Sequence, residues 1–184
     1  MQAALPPTFD RDATSIRTMI PTKRGGYIST AGFPGLRLRA EGTPYIDRER
    51  LHETLVTLRN TGARRLLVLP EEAELPDGAF ALVRAAAASL AIDVQFAAIA
   101  DYSVPEAAFM AGWPQRKAAF LAALVAGETV ALCCRHGAGR SGMIAALLLM
   151  GCGLPASEAI GLVRNHFDES IETQEQEDWL NGQN

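Results

Sequence analysis

The sequence predicts an α/β fold in which helices flank a mostly parallel central sheet. Short apolar segments alternate with longer segments of helical periodicity, and this alternation is typical of β-α-β connections. The strand candidates are residues 27–30, 64–69, 93–99 and 130–134. The helix candidates are residues 46–60, 77–91, 105–126, 141–151, 155–167 and 173–180, the third of them broken near Gly112 and Pro114.

Each element in the first half of the chain rests on a local pattern. Segment 46–60 places Leu51, Leu55 and Leu58 at helical spacing and stops before a glycine. The next segment, RRLLVL, is apolar over most of its length and ends at a proline, which is typical of a buried strand. Residues 77–91 are rich in alanine, which favours a helix, and residues 93–99 alternate towards a strand.

The second half of the chain repeats the alternation. The apolar segment VALCC, residues 130–134, is short enough for a buried strand, and the apolar segment 141–151 follows it as a helix. Segment 155–167 is amphipathic through Ala159, Ile160 and Val163. In such folds ligands bind beyond the carboxyl ends of the strands, so we look for a site after Leu69, Ile99 and Cys134.

Length and composition indicate one soluble domain. The 184 residues suit a single core, with residues 1–22 as an N-terminal extension of weak periodicity and residues 23–184 as the domain. A net charge of −4 gives no general attraction to nucleic acid, and the apolar run at residues 143–150 is too short to span a bilayer. The N-terminus has no signal-peptide pattern. Three cysteines, two of them adjacent, make a poor disulfide framework and favour a reducing, cytoplasmic setting.

The strongest local signal is CCRHGAGRSG, residues 133–142, between a predicted strand and a predicted helix. A glycine-bearing loop before a helix N-terminus directs backbone N–H groups into one hollow, where the helix dipole also favours an anion. Gly137 and Gly139 permit the tight curvature, and Arg140 can offer two N–H groups to a phosphate. Arg135, His136 and Ala138 complete the predicted phosphate-binding loop.

Cys134 begins this loop, so its sulfur is expected among the same N–H groups, an environment that favours the thiolate. A thiolate under a bound phosphorus atom is placed for in-line attack, which would form a phosphocysteine. Ser141 can donate a hydrogen bond to the sulfur when it leaves. A nucleotide-binding P-loop is excluded because the loop has no lysine, whereas a phosphate-binding module without turnover remains open.

The residues from Cys134 to Ser141 resemble the CxxGxxR[ST] signature of protein tyrosine and dual-specificity phosphatases. The resemblance extends to the cyclin-dependent-kinase-associated phosphatase group and its bacterial relatives. It includes ISTAGFPGLR as an N-terminal strand and turn, AIADYSVP as a general-acid loop and SIETQEQEDWL as a C-terminal segment. It implies a tyrosine-phosphatase-like fold of the dual-specificity type and a cysteine-dependent hydrolase that needs no cofactor or metal. The arginine–serine pair at the end of the motif and a separate acid argue against arsenate reductase and sulfur transfer.

The resemblance implies that Asp101 is the general acid. Its position after a strand candidate agrees, because a carboxyl there can protonate the leaving oxygen and later accept a proton from water. Asp93 and Glu106 are the alternative acids, at a strand start and in a first helical turn. Gln174 or Gln176 is a candidate for orienting the hydrolytic water, unless both are surface residues of a polar helix.

Cys133 stands where the family usually has histidine immediately before the nucleophile, and that histidine helps to organise the loop in relatives. Cys133 is out of register with Arg140 by one residue, so we expect a small core residue rather than the nucleophile. A sharper hypothesis is redox control, in which Cys133 or Cys152 captures oxidised Cys134.

The expected substrate is a phosphorylated protein. The choice between phosphotyrosine and phosphoserine or phosphothreonine depends on pocket depth, which the sequence does not give. The cationic side chains of Arg135 and His136 leave a second class open, a phosphoinositide or another highly anionic phosphate. No nucleic-acid partner and no membrane span are expected. The sequence does not specify the oligomeric state.

Overall fold

The computed structural model describes residues 7–183. In chain order the regular elements are β1 (Ile16–Pro21), β2 (Tyr27–Gly32), β3 (Leu36–Leu38), β4 (Pro44–Ile46), α1 (Arg48–Asn60), β5 (Ala63–Val68), a 3-10 turn (Glu72–Glu74), α2 (Ala79–Ser89), β6 (Asp93–Phe96), α3 (Ala107–Val125), β7 (Thr129–Cys134), α4 (Gly139–Gly151), α5 (Ala156–His166) and α6 (Gln174–Asn181).

Five of the strands form the central sheet, in the order β1-β2-β7-β5-β6. β2, β7, β5 and β6 run parallel, and β1 is antiparallel to β2 at one edge. β7 is buried along its whole length at the centre, as its apolar sequence requires. The predicted α/β class with a mostly parallel sheet is therefore confirmed.

Helices cover both faces of the sheet. On one face, buried side chains of α3, α4, α5 and α6 form a single apolar cluster, in which α4 is buried on nearly every side. On the other face, α1 and α2 pack through residues such as Leu55 and Val83. Asp47 caps α1, because its carboxylate accepts hydrogen bonds from the N–H groups of Glu49 and Arg50.

The first strand lies within the predicted N-terminal extension, residues 1–22. Ile16–Pro21 is part of the sheet, so the sheet includes residues that the sequence assigned to the extension; residues 1–6 lie outside the described part. The strand escaped prediction because Arg17 and Thr18 interrupt its apolar alternation. Thr18 is nevertheless buried and satisfied, since its hydroxyl lies 2.8 Å from that of Thr30.

Two further features were missed or misjudged. The hairpin β3–β4 was not predicted, and the expected break in the third helix near Gly112 and Pro114 is wrong, because α3 runs through both residues. Phe109 and Trp113 stack at 5.7 Å in the core on this helix. We attribute its continuity to this packing, which offsets the roughly 3 kcal/mol that an internal proline costs. None of the described helices is both long and apolar enough to cross a membrane.

Candidate active site

The segment from Cys134 to Gly142, here called the Cys134 loop, leaves the carboxyl end of β7 and opens α4. Cys134 is the last residue of β7 and pairs in register with Gly32 on the neighbouring strand β2. The carboxyl ends of β5 and β6 reach the same edge of the sheet. This is the edge at which parallel sheets place ligands.

The Cys134 sulfur lies among hydrogen-bond donors. It accepts a hydrogen bond from the Gly137 N–H at 3.1 Å and lies 3.4 Å from the Ser141 hydroxyl. The residue is only 3% exposed. The sulfur is therefore enclosed by the Cys134 loop and hydrogen-bonded within it.

Gly137 is required where it stands. Its φ is +88°, and a Cβ atom there would lie 2.6 Å from the backbone of Ala31 and Gly32 and 2.7 Å from the Arg17 side chain. The Arg17 Nε in turn donates to the His136 carbonyl at 2.9 Å. Strand β1 thus supports the Cys134 loop through Arg17, a contact that the sequence did not reveal.

Arg140 is buried, with 2% of its side chain exposed, and two acids hold it. Its Nη1 donates to Glu74 at 2.6 Å and to the Ile99 carbonyl at 2.9 Å; its Nη2 donates to Glu74 at 2.8 Å and lies 2.9 Å from Asp101. Burial acts to lower the pKa of Arg140, but the Glu74 hydrogen bonds and the nearby negative charges outweigh it and raise that pKa. The guanidinium is therefore fixed and charged.

Glu74 is the functional residue that sequence reasoning missed. It belongs to the 3-10 turn after β5, and its carboxylate grips the Arg140 guanidinium with both oxygens. Burial acts to raise the pKa of Glu74, but the hydrogen bonds from Arg140 and from the Glu71 backbone lower it overall. The available signal was its position after a strand end, the same rule that pointed to Leu69.

Of the three candidate acids, Asp101 is the one that contacts Arg140. It follows β6 and touches Arg140, and its carboxylate also accepts the Tyr102 N–H at 3.1 Å. Asp93 begins β6, at the end of the strand away from the loop, and pairs with Gln95. Glu106 is an exposed residue at the start of α3.

The two glutamine candidates divide in the same way. Gln176 is fully buried, its Oε1 accepts the Glu172 N–H at 3.0 Å, and its Nε2 donates to the Ser103 carbonyl at 3.3 Å. The segment approaches the Cys134 loop so closely that a Cβ on Gly139 would lie 2.2 Å from the Glu172 carboxylate. Gln174 is exposed and bonds to Asp178, so only Gln176 is near the loop.

The other two cysteines are separated from Cys134. Cys133 and Cys134 belong to the apolar clusters on opposite faces of the sheet, because consecutive strand residues point to opposite sides. Cys152 follows the far end of α4, about 20 Å along a helix of this length. All three thiols are free, and burial first, with the nearby Cys134 charge, raises the pKa of Cys133 well above its usual value. The geometry therefore opposes the redox hypothesis.

The remaining predicted loop residues serve the loop in different ways. Ala138 and Gly139 are buried, and the Ala138 carbonyl accepts the Gly142 N–H at 2.9 Å at the start of α4. Arg135 is half-buried and His136 is exposed. None of the described residues forms a group of three or more acidic, histidine or cysteine side chains suited to a metal ion.

Comparison with protein families agrees with this geometry. A family model described as "Swiss Army Knife protein, DSP-PTPase phosphatase domain" matches residues 43–180, which is most of the chain. The chain belongs to this phosphatase family. The phosphatase has no match among curated protein sequences.

Solved structures show the same fold. Kinase-associated phosphatase, with its catalytic cysteine replaced by serine, has a TM-score of 0.72 and 17% identity and covers 96% of this chain and 93% of its own. A putative protein tyrosine phosphatase from Leishmania major has a TM-score of 0.64 and 19% identity, covering 91% and 98%. PTPMT1 in complex with PI(5)P has a TM-score of 0.58 and 16% identity, covering 84% and 88%. The phosphatase is thus a hydrolase with the dual-specificity phosphatase fold.

Proposed function

We propose that this phosphatase hydrolyses phosphate monoesters through a phosphocysteine on Cys134. The observation that carries the proposal is the grouping of the Cys134 sulfur, the buried Arg140 guanidinium and the Asp101 carboxyl around one loop. Each of these groups has a distinct role in phosphoryl transfer. The sulfur attacks, the guanidinium binds the phosphate, and the carboxyl moves the proton.

When substrate binds, a phosphate oxygen replaces Asp101 as a hydrogen-bond acceptor of Arg140. Glu74 and the Ile99 carbonyl fix the guanidinium from one side, while Asp101 occupies part of Nη2. A phosphate oxygen takes the place of Asp101 at Nη2, and backbone N–H groups of the Cys134 loop bind the other oxygens. The bound phosphate then lies beside the Asp101 carboxyl, which is within reach of the leaving oxygen.

In the first chemical step the Cys134 sulfur forms a bond to phosphorus while the ester P–O bond breaks. Asp101 gives its proton to the leaving oxygen, so the product departs as a neutral alcohol or phenol. Arg140 stabilises the charge on the transferring phosphoryl oxygens. Because the pKa of Cys133 is raised by burial, its thiol stays neutral and does not compete as a nucleophile.

In the second step water attacks phosphorus and the S–P bond breaks. Asp101 accepts a proton from that water, and the Ser141 hydroxyl, 3.4 Å from the sulfur, stabilises the departing thiolate. The glutamine that orients this water in the scheme is Gln176, whose amide hydrogen-bonds to the backbone of Glu172 and Ser103. The proposed reaction requires no metal, and we expect the activity to be insensitive to chelators.

Two substrate classes fit this chemistry: a phosphorylated protein, and a highly anionic phosphate such as a phosphoinositide. PTPMT1, a structural neighbour, has been solved with PI(5)P bound. In this chain a group of arginines beside the loop favours the second class. Three free cysteines fit a reducing, cytoplasmic setting.

The experiment is hydrolysis of para-nitrophenyl phosphate with and without vanadate. Wild type is expected to turn over and vanadate to inhibit it, whereas Cys134→Ser is expected to lose activity while still binding phosphate. Cys133→Ser is the matched control and should retain the nucleophile. Equal turnover by Cys134→Ser would refute the phosphocysteine. No turnover by wild type would instead leave a phosphate-binding module.

A further inference from the structure

A cavity of about 480 Å³ opens beside the Cys134 loop. Five arginines and one histidine contribute to its walls, namely Arg11, Arg17, Arg37, Arg50, Arg135 and His136. Phe33 and Leu36 add an apolar side. A volume in the range of roughly 300–1,000 Å³ is typical of sites for small molecules.

The positive charges in this cavity are only partly balanced. Asp12 is the one acid among the described residues that line it. Burial first, and then the neighbouring charges of Arg50 and Arg11, lower the pKa of Arg17. Burial and the charge of Arg37 likewise lower the pKa of Arg50, and the nearby carboxylates of Asp47, Asp12 and Asp10 act to raise it. The charge of Glu169 acts to raise the pKa of Arg17. Cations that depress one another's pKa are stabilised when an anion binds between them.

Two of the arginines, Arg50 and Arg17, hydrogen-bond to backbone carbonyls around the cavity. The Arg50 guanidinium donates to the carbonyls of Arg11, Asp12 and Thr14, and so holds the chain before β1. Arg17 Nε donates to the His136 carbonyl. These hydrogen bonds fix the shape of the cavity without using all of its charge.

The other side chains have donors to offer. The Nε of Arg135 is buried and has no hydrogen-bond partner within the part of the chain that is described. A buried donor of this kind is costly unless a ligand satisfies it. Arg37 is half exposed, and its ion pair with Asp47 is long, at 3.9 Å. An anion in the cavity can therefore gain a hydrogen bond from the exposed Arg37 guanidinium, while Arg135 adds a second positive charge at the cavity wall.

The cavity and the Cys134 loop share a border. Gly32 lines the cavity and pairs in register with Cys134. Arg135 and His136 belong to the loop and also line the cavity. A molecule whose phosphate lies over the Cys134 sulfur can thus place a second anionic group among the arginines.

We propose that this cavity binds a second phosphate of the substrate, and that the substrate is a small polyol carrying at least two phosphate groups. The inference rests on the proposed phosphatase function and specifies its substrate class. A free polyol phosphate and a phosphoinositide headgroup present the same chemistry to the arginines. The chain's net charge of −4 gives no general attraction, so the selectivity comes from this local group of cations.

The test compares kcat/KM for an inositol bisphosphate with neighbouring phosphates and for the matching inositol monophosphate. Arg37→Glu is the test variant, and Arg39→Glu is its control because Arg39 is exposed on the same hairpin and does not line the cavity. We expect the bisphosphate preference of wild type to fall at least about tenfold in Arg37→Glu, from the loss of one charge-assisted hydrogen bond. Turnover of para-nitrophenyl phosphate should stay unchanged.

Three outcomes would overturn the inference: no bisphosphate preference in wild type, an equal loss in Arg39→Glu, or a stronger preference for a peptide with two adjacent phosphorylated residues. A phosphoinositide in phosphatidylcholine vesicles, assayed beside the soluble bisphosphate, separates the lipid source from the free one. Calorimetric binding of the bisphosphate to Cys134→Ser, with and without Arg37→Glu, needs no turnover. It therefore tests the cavity even if the proposed phosphocysteine chemistry fails.

Discussion

Replacing Glu74 by glutamine tests how the site holds the buried Arg140 guanidinium. Both Glu74 oxygens accept hydrogen bonds from Arg140, at 2.6 and 2.8 Å. The pair is buried, since only 2% of the Arg140 side chain and 13% of the Glu74 side chain are exposed. The glutamine keeps the shape and one acceptor oxygen. It replaces the second oxygen by an amide that faces the Arg140 N–H donors, so one of the two hydrogen bonds becomes a repulsive contact.

The magnitude follows from hydrogen bonding to a charged group. Such a bond contributes roughly 1.5–3 kcal/mol, and removing one partner of a buried ion pair costs about 3–5 kcal/mol. Asp101 and the Ile99 carbonyl still contact Arg140, so we expect the low end, about 2–3 kcal/mol in the free energy of unfolding. If a similar energy is lost at the transition state, kcat/KM falls about 30- to 160-fold.

The assay measures kcat/KM on para-nitrophenyl phosphate and the free energy of unfolding in urea. Glu72→Gln is the matched control, because Glu72 is an exposed glutamate in the same 3-10 turn. The control should behave as wild type within about 0.5 kcal/mol. If Glu74→Gln equals Glu72→Gln in both measurements, Glu74 does not hold Arg140 in solution and the reasoning fails.

The same variant has a defined pH signature. The pKa of Glu74 lies below its ordinary value, so its contribution is complete above the unfolded pKa of about 4.3 and is lost as the pH falls through the lower folded value. The stability difference between wild type and Glu74→Gln should therefore be full at neutral pH and shrink below about pH 4. A difference that stays constant into acid would contradict the ionic contact.

Two further predictions address the acid and the loop. Asp101→Asn should lower kcat by about a hundredfold on an alkyl phosphate, because its leaving oxygen needs a proton, and by much less on para-nitrophenyl phosphate. Asp93→Asn is the control variant. Equal losses of kcat on both esters in Asp101→Asn would count against the acid role. Gly137→Ala should abolish activity, because the added Cβ would lie 2.6 Å from the Ala31–Gly32 backbone. Gly127→Ala is the control, because Gly127 has a similar φ of +80° but open space around it; this variant should lose only about 1 kcal/mol of stability. Comparable activity in the two glycine variants would refute the close approach.

The sequence predicted most of the framework because its signals are local. The apolar strand before Cys134, the glycine-bearing loop and the apolar helix after it are contiguous, and the structure has them as β7, the Cys134 loop and α4. Strand β1 was missed because its pairing with β2, not its own alternation, makes it a strand. Pro114 misled the prediction of α3, because local propensity is weaker than the core packing of its aromatic residues.

The site shows the same division. Asp101 followed from the family resemblance, and the structure places it against Arg140. Glu74 and Arg17 were not predicted, since a glutamate in a short turn and an arginine in an edge strand carry no local pattern. The sequence does not distinguish Gln176 from Gln174, because a helix of polar residues does not reveal which face will be buried.

Taken alone, the sequence determined the fold class, the Cys134 loop and the type of chemistry, because these depend on residues that are neighbours in the chain. Only the tertiary structure decided which acid fixes Arg140, which glutamine faces the loop and which cysteine is isolated on the other face of the sheet. It also brought arginines from β1, β3, α1 and the Cys134 loop around one cavity. Contacts between distant residues, such as Arg17 and His136 at 119 positions apart, are set by how the elements pack, which no local pattern records.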